Sequence, residues 1–599
     1  MPLTIPELFF SQARQYGAKP LFLAKREGAY RPITWEQARR QVEALSAFLL
    51  HRGVTPGDRV LLLSENRPEW GVADLAIQSI GAWTVPLYPS LTEDDVVNIA
   101  RDCQPVVGIA STQEQVQKLH AAQRHVTSLR TLMVMDAAAP LPAMQPWAEA
   151  LGQGSGLCAT LQSSLRQRRQ ALTADHTATL IYTSGTTGEP KGVRLSHQNF
   201  LSNAASCLTV FSLSSTDTHL SFLPLSHVFE RMAGWYLMLM VGASIAYAEN
   251  METIPQNMRE VRPTIMLGVP RFFEKLYARV QEGIQQASPL KRRLAQWAVS
   301  IGQRMSPHRL ARTRPPLGLQ LQHRLADLLV FRALRRRLGG RLRFFVSGSA
   351  PLSKTIGEFF YAAGITILEG YGLTETSPVI AVNRPEALKF GTVGQPIEGV
   401  EVRIADDGEI LTRGPHVMQG YYQKPRETAE AIVEGWFHTG DIGHLDEEGF
   451  LVITDRKKDL IKTSGGKFVA PQKLETLFVT DPYITQAFVY GDRERYCVAL
   501  IVPNVQRLSA YAQEQGIVCA PSKDFVQLPA IHEFLWTRIQ ALQQSLASFE
   551  QVKAIAVLDQ EFTQASGELT PTMKAKRSLI AANHAEIIRQ LYASSSHAN

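Results

Sequence analysis

The chain has 599 residues, of which 45% are apolar and 20% charged, with a formal net charge of +7. It is too long for one ordinary domain, and its unremarkable Gly and Pro content excludes a collagenous or low-complexity protein. Five scattered cysteines (Cys103, Cys158, Cys207, Cys497 and Cys519) include no C-x-x-C pair. They argue against a disulfide framework or a zinc site and suit a reducing, cytoplasmic setting.

The N-terminus lacks a basic segment followed by an apolar one, so no signal peptide is expected. Helical patterns cover Trp35 to His51 and Pro270 to Ile284. Short apolar runs at Val60 to Leu63, Leu180 to Tyr182, Ile265 to Val269 and Phe344 to Val346 predict buried strands between helices, hence α/β layers with largely parallel sheets. Met232 to Ala248 is uncharged and mostly apolar, but it is short for a span and holds Gly234, Gly242 and Ser244. It predicts a buried helix running into a buried strand.

From Lys291 to Arg343 the chain is densely basic, with Asp327 the only acid. This segment is more positive than the whole protein, so the remainder is net acidic, and the overall charge gives no reason to expect a nucleic-acid partner. Trp297, Leu325, Leu328, Leu329 and Phe331 interleave with the basic residues. Such a pattern suits a helix lying on an anionic inner-membrane surface or, equally, a solvated hairpin packed on the protein. After Gly391 turn signals multiply and an antiparallel β subdomain is expected, with strands at Val400 to Ile404 and Phe450 to Ile453. TDRKKD near Asp455 interrupts the strand pattern and marks a boundary between a large domain, 1–454, and a small α+β domain, 455–599. The polar tail SSSHAN is expected to be disordered.

Several motifs carry chemistry. Tyr182 to Val193, YTSGTTGEPKGV, follows an apolar strand. Its glycines and hydroxyls (Thr183, Ser184, Gly185, Thr186, Thr187, Gly188) can present consecutive N–H groups to an anion, and Lys191 adds charge. It is not a G-x-x-x-x-G-K-[ST] loop, because Gly192 follows the lysine. Tyr371 in Gly370-Tyr371-Gly372-Leu373-Thr374-Glu375-Thr376 offers a face for a purine. Thr374 can donate to phosphate and Glu375 is a hard oxygen ligand suited to Mg²⁺, but by itself the run reads equally as a structural turn with a surface glutamate. By chemistry alone Asp441, in WFHTGD, either accepts from vicinal hydroxyls or caps a turn.

Together and in order, these runs resemble the adenylate-forming superfamily, and especially its long-chain acyl-CoA synthetases. The resemblance implies a large N-terminal domain of layered α/β subdomains plus a β subdomain, and a small mobile C-terminal domain hinged at Asp455. It implies ATP, Mg²⁺ (at Glu375 and Thr186) and coenzyme A. Glu369, Gly370, Tyr371, Gly348, Ser349 and Ala350 would surround the adenine, and Asp441 and Arg456 the ribose. His227, in LSHVFER, matches a motif near the carboxylate. In GELTPTMKAKR a methionine, Met573, replaces the commoner glycine; alignment on Lys-x-x-Arg makes Lys574 the catalytic lysine, with Lys576 its competitor. Gly465, Gly466 and Lys467 would meet CoA after a domain rotation. Val269 to Lys275 and the insertion at about 285–343 resemble long-chain enzymes, and Trp235 to Met240 could line an acyl tunnel. The acceptor is CoA or, as a second reading, an acyl carrier protein; a remote third is an inactive nucleotide-binding regulator.

Overall fold

A computed structural model describes residues 4–136, 144–183, 190–516, 526, 528–570 and 574–594. The anion-binding run 184–189, Cys519 and the tail 595–599 lie outside these residues.

Two large sheets form the N-terminal part. The first has eight strands, with Arg59–Leu63 and Trp83–Leu87 parallel at its centre and Thr177–Thr183 beside them. Lys191–Ser196 turns back antiparallel on Thr177–Thr183, and Gly420–Tyr421 returns from far along the chain to pair with it. The second sheet has nine strands. Its middle is parallel, with Ser244–Tyr247, Thr218–Ser221, Ile265–Gly268, Phe344–Ser347 and Thr366–Gly372 side by side. The first four of these strands are short and buried along nearly their whole length, as strands of a parallel sheet covered on both faces require. The predicted α/β class is the observed one.

Local signals place the helices. Trp35–His51 starts at a reciprocal cap in which Thr34 accepts from the Gln37 N–H and the Gln37 side chain accepts from the Thr34 N–H. Pro68–Ser79 is different: its residues are buried all round apart from Glu69, so it has no polar face to expose. Trp70 Nε1 and Gln78 Oε1 are left without a partner, but the buried carboxylate of the helix is satisfied from elsewhere. Asp74 receives the Arg231 guanidinium, the Trp235 indole N–H at 3.1 Å and the Tyr236 hydroxyl at 2.8 Å. All four side chains are essentially inaccessible.

The Met232 to Ala248 stretch is buried as predicted, but its helix opens with a π-turn, Glu230–Tyr236, before Leu237–Val241 and the strand Ser244–Tyr247. No helix among the described residues is long and apolar enough to cross a membrane.

The basic insertion is helical: Pro289–Leu310, then Leu317–Ala326 running through Asp327–Phe331 into Arg332–Arg337. Gly302 lets it dock closely, since a Cβ there would lie 2.4 Å from the Ala362 carbonyl oxygen. Phe331 is buried and Trp297 half-buried against the core, so these two are not surface residues as the sequence pattern suggested. Leu325, Leu328 and Leu329 are exposed, joined by Leu317 and Leu321.

A third, antiparallel sheet holds Glu401–Ile404, Glu409–Arg413, Trp436–Leu445 and Leu451–Arg456. Its last strand runs through Asp455 and Arg456, paired with Ile442 and Asp441, so the expected interruption falls two residues later than predicted. The reason is the Asp455 carboxylate, which accepts from the Arg456 and Gln472 N–H groups and is buried, not solvated. Beyond it, Ile484–Tyr490, Cys497–Pro503 and Val552–Val557 form a small sheet with helices around it and a core of its own.

Candidate functional site

A cavity of about 840 Å³ is walled by both large sheets, the antiparallel sheet and the C-terminal part of the chain. Two chemically distinct sets of residues line it.

The polar set comes from chain ends and turns. Thr183 ends its strand and Lys191 begins the next, so the flanks of the run 184–189 face the cavity. Gly348 and Ser349 follow the strand Phe344–Ser347, and Ser349 adopts a left-handed φ of 72°. Strain of this kind is commonly held at functional loops. Gly370 to Gly372 close the strand Thr366–Gly372, and Thr374 and Glu375 follow. Gly372 admits no side chain, because a Cβ would sit 1.7 Å from the Pro378 carbonyl oxygen.

Tyr371, Asp441 and Arg456 form a chain. The Tyr371 hydroxyl donates to Asp441 Oδ2 at 2.6 Å, and Arg456 Nε lies 3.3 Å from Asp441 Oδ1. Tyr371 and Arg456 line the cavity while Asp441 stands one layer behind them. Burial raises the Asp441 pKa, with Arg456 and Tyr371 opposing it.

Lys574 enters from the C-terminal part. The Leu569 and Ala575 backbones bridge, and the Thr570 N–H donates to the Lys574 carbonyl at 2.8 Å, so this stretch of backbone is pinned on either side of 571–573. Arg577 anchors that stretch through Glu475 at 2.8 Å and by lying 4.7 Å over the Phe488 ring. Lys574 is thereby held among Glu375, Asp441, Arg456 and Lys458, and burial, then Arg456, lowers its pKa to about 8. Lys458 is shifted down by burial and the same arginine. Lys576 also contributes to the wall but is exposed.

His227 lines the cavity, and its Nδ1 accepts from the Phe229 N–H at 3.2 Å. That assigns the proton to Nε2, a donor for an anionic group. Burial, reinforced by Lys574, lowers its pKa to about 3, so it is neutral at physiological pH.

Five expected residues lie elsewhere. Glu369 turns its carboxylate to the Leu352 N–H at 3.1 Å, and burial raises its pKa to about 7. Ala350 is exposed and not part of the wall. The segment with Gly465, Gly466 and Lys467 is an exposed turn outside the cavity, where the Lys467 ammonium sits 5.9 Å from the Phe549 ring centre.

The sequence reading missed Tyr421 and did not single out Lys458. The Tyr421 hydroxyl donates to Glu375 Oε1 at 3.0 Å, and the Lys191 ammonium lies 5.2 Å over its ring. The one local signal was a glycine before two aromatics, Gly420-Tyr421-Tyr422.

The apolar set includes Cys207, Phe211, Met232, Ala233, Leu237 and Met238. Of the proposed tunnel stretch, Leu237 and Met238 do line it. Trp235 and Tyr236 do not: Trp235 stacks on Phe22 at 5.6 Å and both bond Asp74.

No group of three or more His, Cys, Asp or Glu among the described residues could hold a metal alone. A single carboxylate, Glu375, suits Mg²⁺ held mostly by phosphate oxygens and water. The cavity thus joins cations and hydroxyl donors suited to an anion, an aromatic side chain backed by the Asp441 carboxylate, and an apolar pocket.

Comparison with known proteins identifies the family. Residues 9–422 match the AMP-binding enzyme family and residues 458–596 the AMP-binding enzyme C-terminal domain. A long-chain-fatty-acid–CoA ligase, FadD15, of Mycobacterium bovis is 36% identical over 94% of this chain and 93% of its own length. Fatty acyl-CoA synthetase A of Dictyostelium discoideum is 32% identical over 97% of this chain and 89% of its own. Among solved structures, the adenylation domain of a carboxylate reductase from Mycobacterium chelonae superposes with a TM-score of 0.75 at 23% identity, covering 99% of this chain and 91% of that one.

Proposed function

The chain belongs to the AMP-binding enzyme family, and from that premise we propose that it activates a long-chain fatty acid as its acyl-adenylate and transfers the acyl group to coenzyme A. The observation that carries this reading is one cavity holding Lys574, Glu375 and Tyr371 beside the apolar wall of Met232, Ala233 and Leu237.

A carboxylate is a poor acyl donor, because its leaving group would be oxide. In the first half-reaction a carboxylate oxygen attacks the α-phosphorus of ATP and pyrophosphate departs. Negative charge gathers on the phosphate oxygens, and preorganised cations and donors stabilise it. Lys574 and Lys458 supply cations, and Thr183 and Thr374 supply hydroxyls. A Mg²⁺ held between Glu375 and the phosphates would add charge neutralisation. Neutral His227 offers Nε2–H to the acyl carboxylate. Asp441, already aimed by Tyr371 and Arg456, retains acceptor capacity for ribose hydroxyls.

In the second half-reaction the thiol of CoA attacks the acyl carbonyl and AMP leaves. The present arrangement, with Lys574 inside and Lys467 outside, suits the first step. We take Asp455 as the hinge about which residues 455–599 turn, bringing Gly465, Gly466 and Lys467 to the thiol's path. Four unpaired cysteines among the described residues support a cytoplasmic setting. The exposed leucines of 317–329, flanked by arginines, support peripheral contact with an anionic membrane.

ATP–pyrophosphate exchange with a panel of fatty acids tests the reading. We expect exchange that depends on a long-chain acid, and thioester formation on adding CoA. Turnover with holo acyl carrier protein and none with CoA would reassign the acceptor; no acid-dependent exchange would end the ligase reading.

A further inference from the structure

Away from the catalytic cavity lies a second, open recess of about 900 Å³. Three elements converge on it: the helix Ile254–Val261 with its cap Arg262, the continuous helical run from Leu317 to Arg337, and the turn at Gly339 and Gly340. Six arginines line it (Arg259, Arg262, Arg324, Arg332, Arg335 and Arg336) against one acid, Asp327. Asp327 is engaged by Arg335 at 2.7 Å. Among the described residues none of the other five arginines forms an ion pair. Guanidinium groups brought together from separate elements repel one another unless an anion joins them, and their planar forks match phosphate oxygens.

The same helical run carries an unpartnered apolar stripe. Leu317, Leu321, Leu325 and Leu328 are 83%, 70%, 49% and 61% exposed. Their spacing of three and four residues puts them on one face, and Leu328 also borders the arginine recess. A solvated hairpin accounts for the arginines but not for four exposed leucines in register with them. A cationic recess continuous with a leucine ridge complements a surface that is anionic at its headgroups and apolar just beneath.

We propose that this recess binds the phosphate of an acidic phospholipid headgroup, seating the helical run 317–337 on a membrane with its leucines in the interface. The proposal rests on the peripheral-membrane reading for the source of the phosphate. It is independent of the catalytic one, since no residue of the recess lines the catalytic cavity.

The test uses the full chain in phosphate-free, low-salt buffer. Co-sedimentation with phosphatidylcholine vesicles, with and without phosphatidylglycerol, is measured for the wild type, for R324Q/R332Q/R336Q and for L321Q/L325Q. Inorganic phosphate is titrated calorimetrically into each. The expected result is binding that requires phosphatidylglycerol and is about a hundredfold weaker in the arginine variant, at about fivefold per charge. The leucine variant should bind vesicles more weakly yet bind phosphate as the wild type does. ATP–pyrophosphate exchange should be unchanged in both, which shows that they are folded. Vesicle binding that survives the arginine variant would overturn the recess while leaving a membrane contact elsewhere. Phosphate binding without vesicle binding would overturn the lipid source. Binding of neither would overturn the proposal while the ligase reading stood.

Discussion

Replacing Lys574 by alanine should separate the two half-reactions. Its ammonium sits among Glu375, Asp441, Arg456 and Lys458, enclosed enough that its pKa falls to about 8. In so shielded a place a cation facing developing phosphate charge is worth on the order of 3 kcal/mol, roughly a hundredfold in rate. Lys574→Ala should therefore lower kcat/KM for adenylation about a hundredfold, while thioester formation from supplied acyl-adenylate stays within about threefold, because on the proposed hinge motion the lysine leaves the cavity before that step. The pKa sharpens the test. A lysine whose pKa is depressed loses its proton at a lower pH than usual, so the active cation is about nine-tenths populated at pH 7 and about one-tenth at pH 9. The wild-type kcat/KM for ATP, which reports the free enzyme, should fall above pH 8 with a slope approaching tenfold per unit. Lys574→Arg, which stays charged, should flatten that limb. Both half-reactions are measured by quenched flow across this range. Equal losses in the two steps, or an alkaline limb unchanged in the arginine variant, would refute the assignment.

Tyr421→Phe removes the donor that orients Glu375 and should cut adenylation about tenfold while changing the Mg²⁺ activation curve, since a hydrogen bond to a charged group is worth about 1.5–3 kcal/mol; an unaltered Mg²⁺ curve would detach Tyr421 from the carboxylate's role. Ala233→Phe should obstruct the apolar wall and shift preference to shorter acids. At about 0.8 kcal/mol per buried methylene, each one excluded costs about fourfold in kcat/KM; an identical chain-length profile would remove Ala233 from the tunnel. Arg231→Met should destabilise the fold by about 3–5 kcal/mol, because it leaves Asp74 charged and uncompensated in the core. The pair Asp74→Leu with Arg231→Met should recover much of that in urea unfolding; a double variant no better than the single would show that their pairing is not what matters.

Much of this architecture was legible along the chain because it is written locally. The strand at Arg59–Leu63 and the helix Trp35–His51 follow from an apolar run and a Thr-x-x-Gln cap. Gly372 and Lys574 stand in runs whose residue types are narrowly fixed by backbone approach and charge. The rest depends on contacts distant in sequence. Tyr421 reaches Glu375 because a two-residue strand pairs with Val193 and Arg194, more than two hundred residues earlier. No periodicity announces so short a pairing. Trp235 looked like a tunnel residue because periodicity gives a face without a direction. The π-turn and the buried Asp74 decide that it points to Phe22 instead. Asp455 read as a solvated break, whereas two backbone N–H groups hold its carboxylate inside a strand.

The gathering of Lys574, Arg456 and Lys458 at one wall has a consequence for timing. If residues 455–599 turn about Asp455 as proposed, these three cations move together as one face, and a strongly anionic ligand in the cavity would hold that face in place. ATP is such a ligand, and its charge would draw this face toward the large domain. Once pyrophosphate has gone, the acyl-adenylate keeps a single phosphate charge, so the attraction would weaken and the proposed rotation would withdraw the lysine. On that proposal the substrate's own charge would be the clock that tells the protein when to exchange one half-reaction for the next.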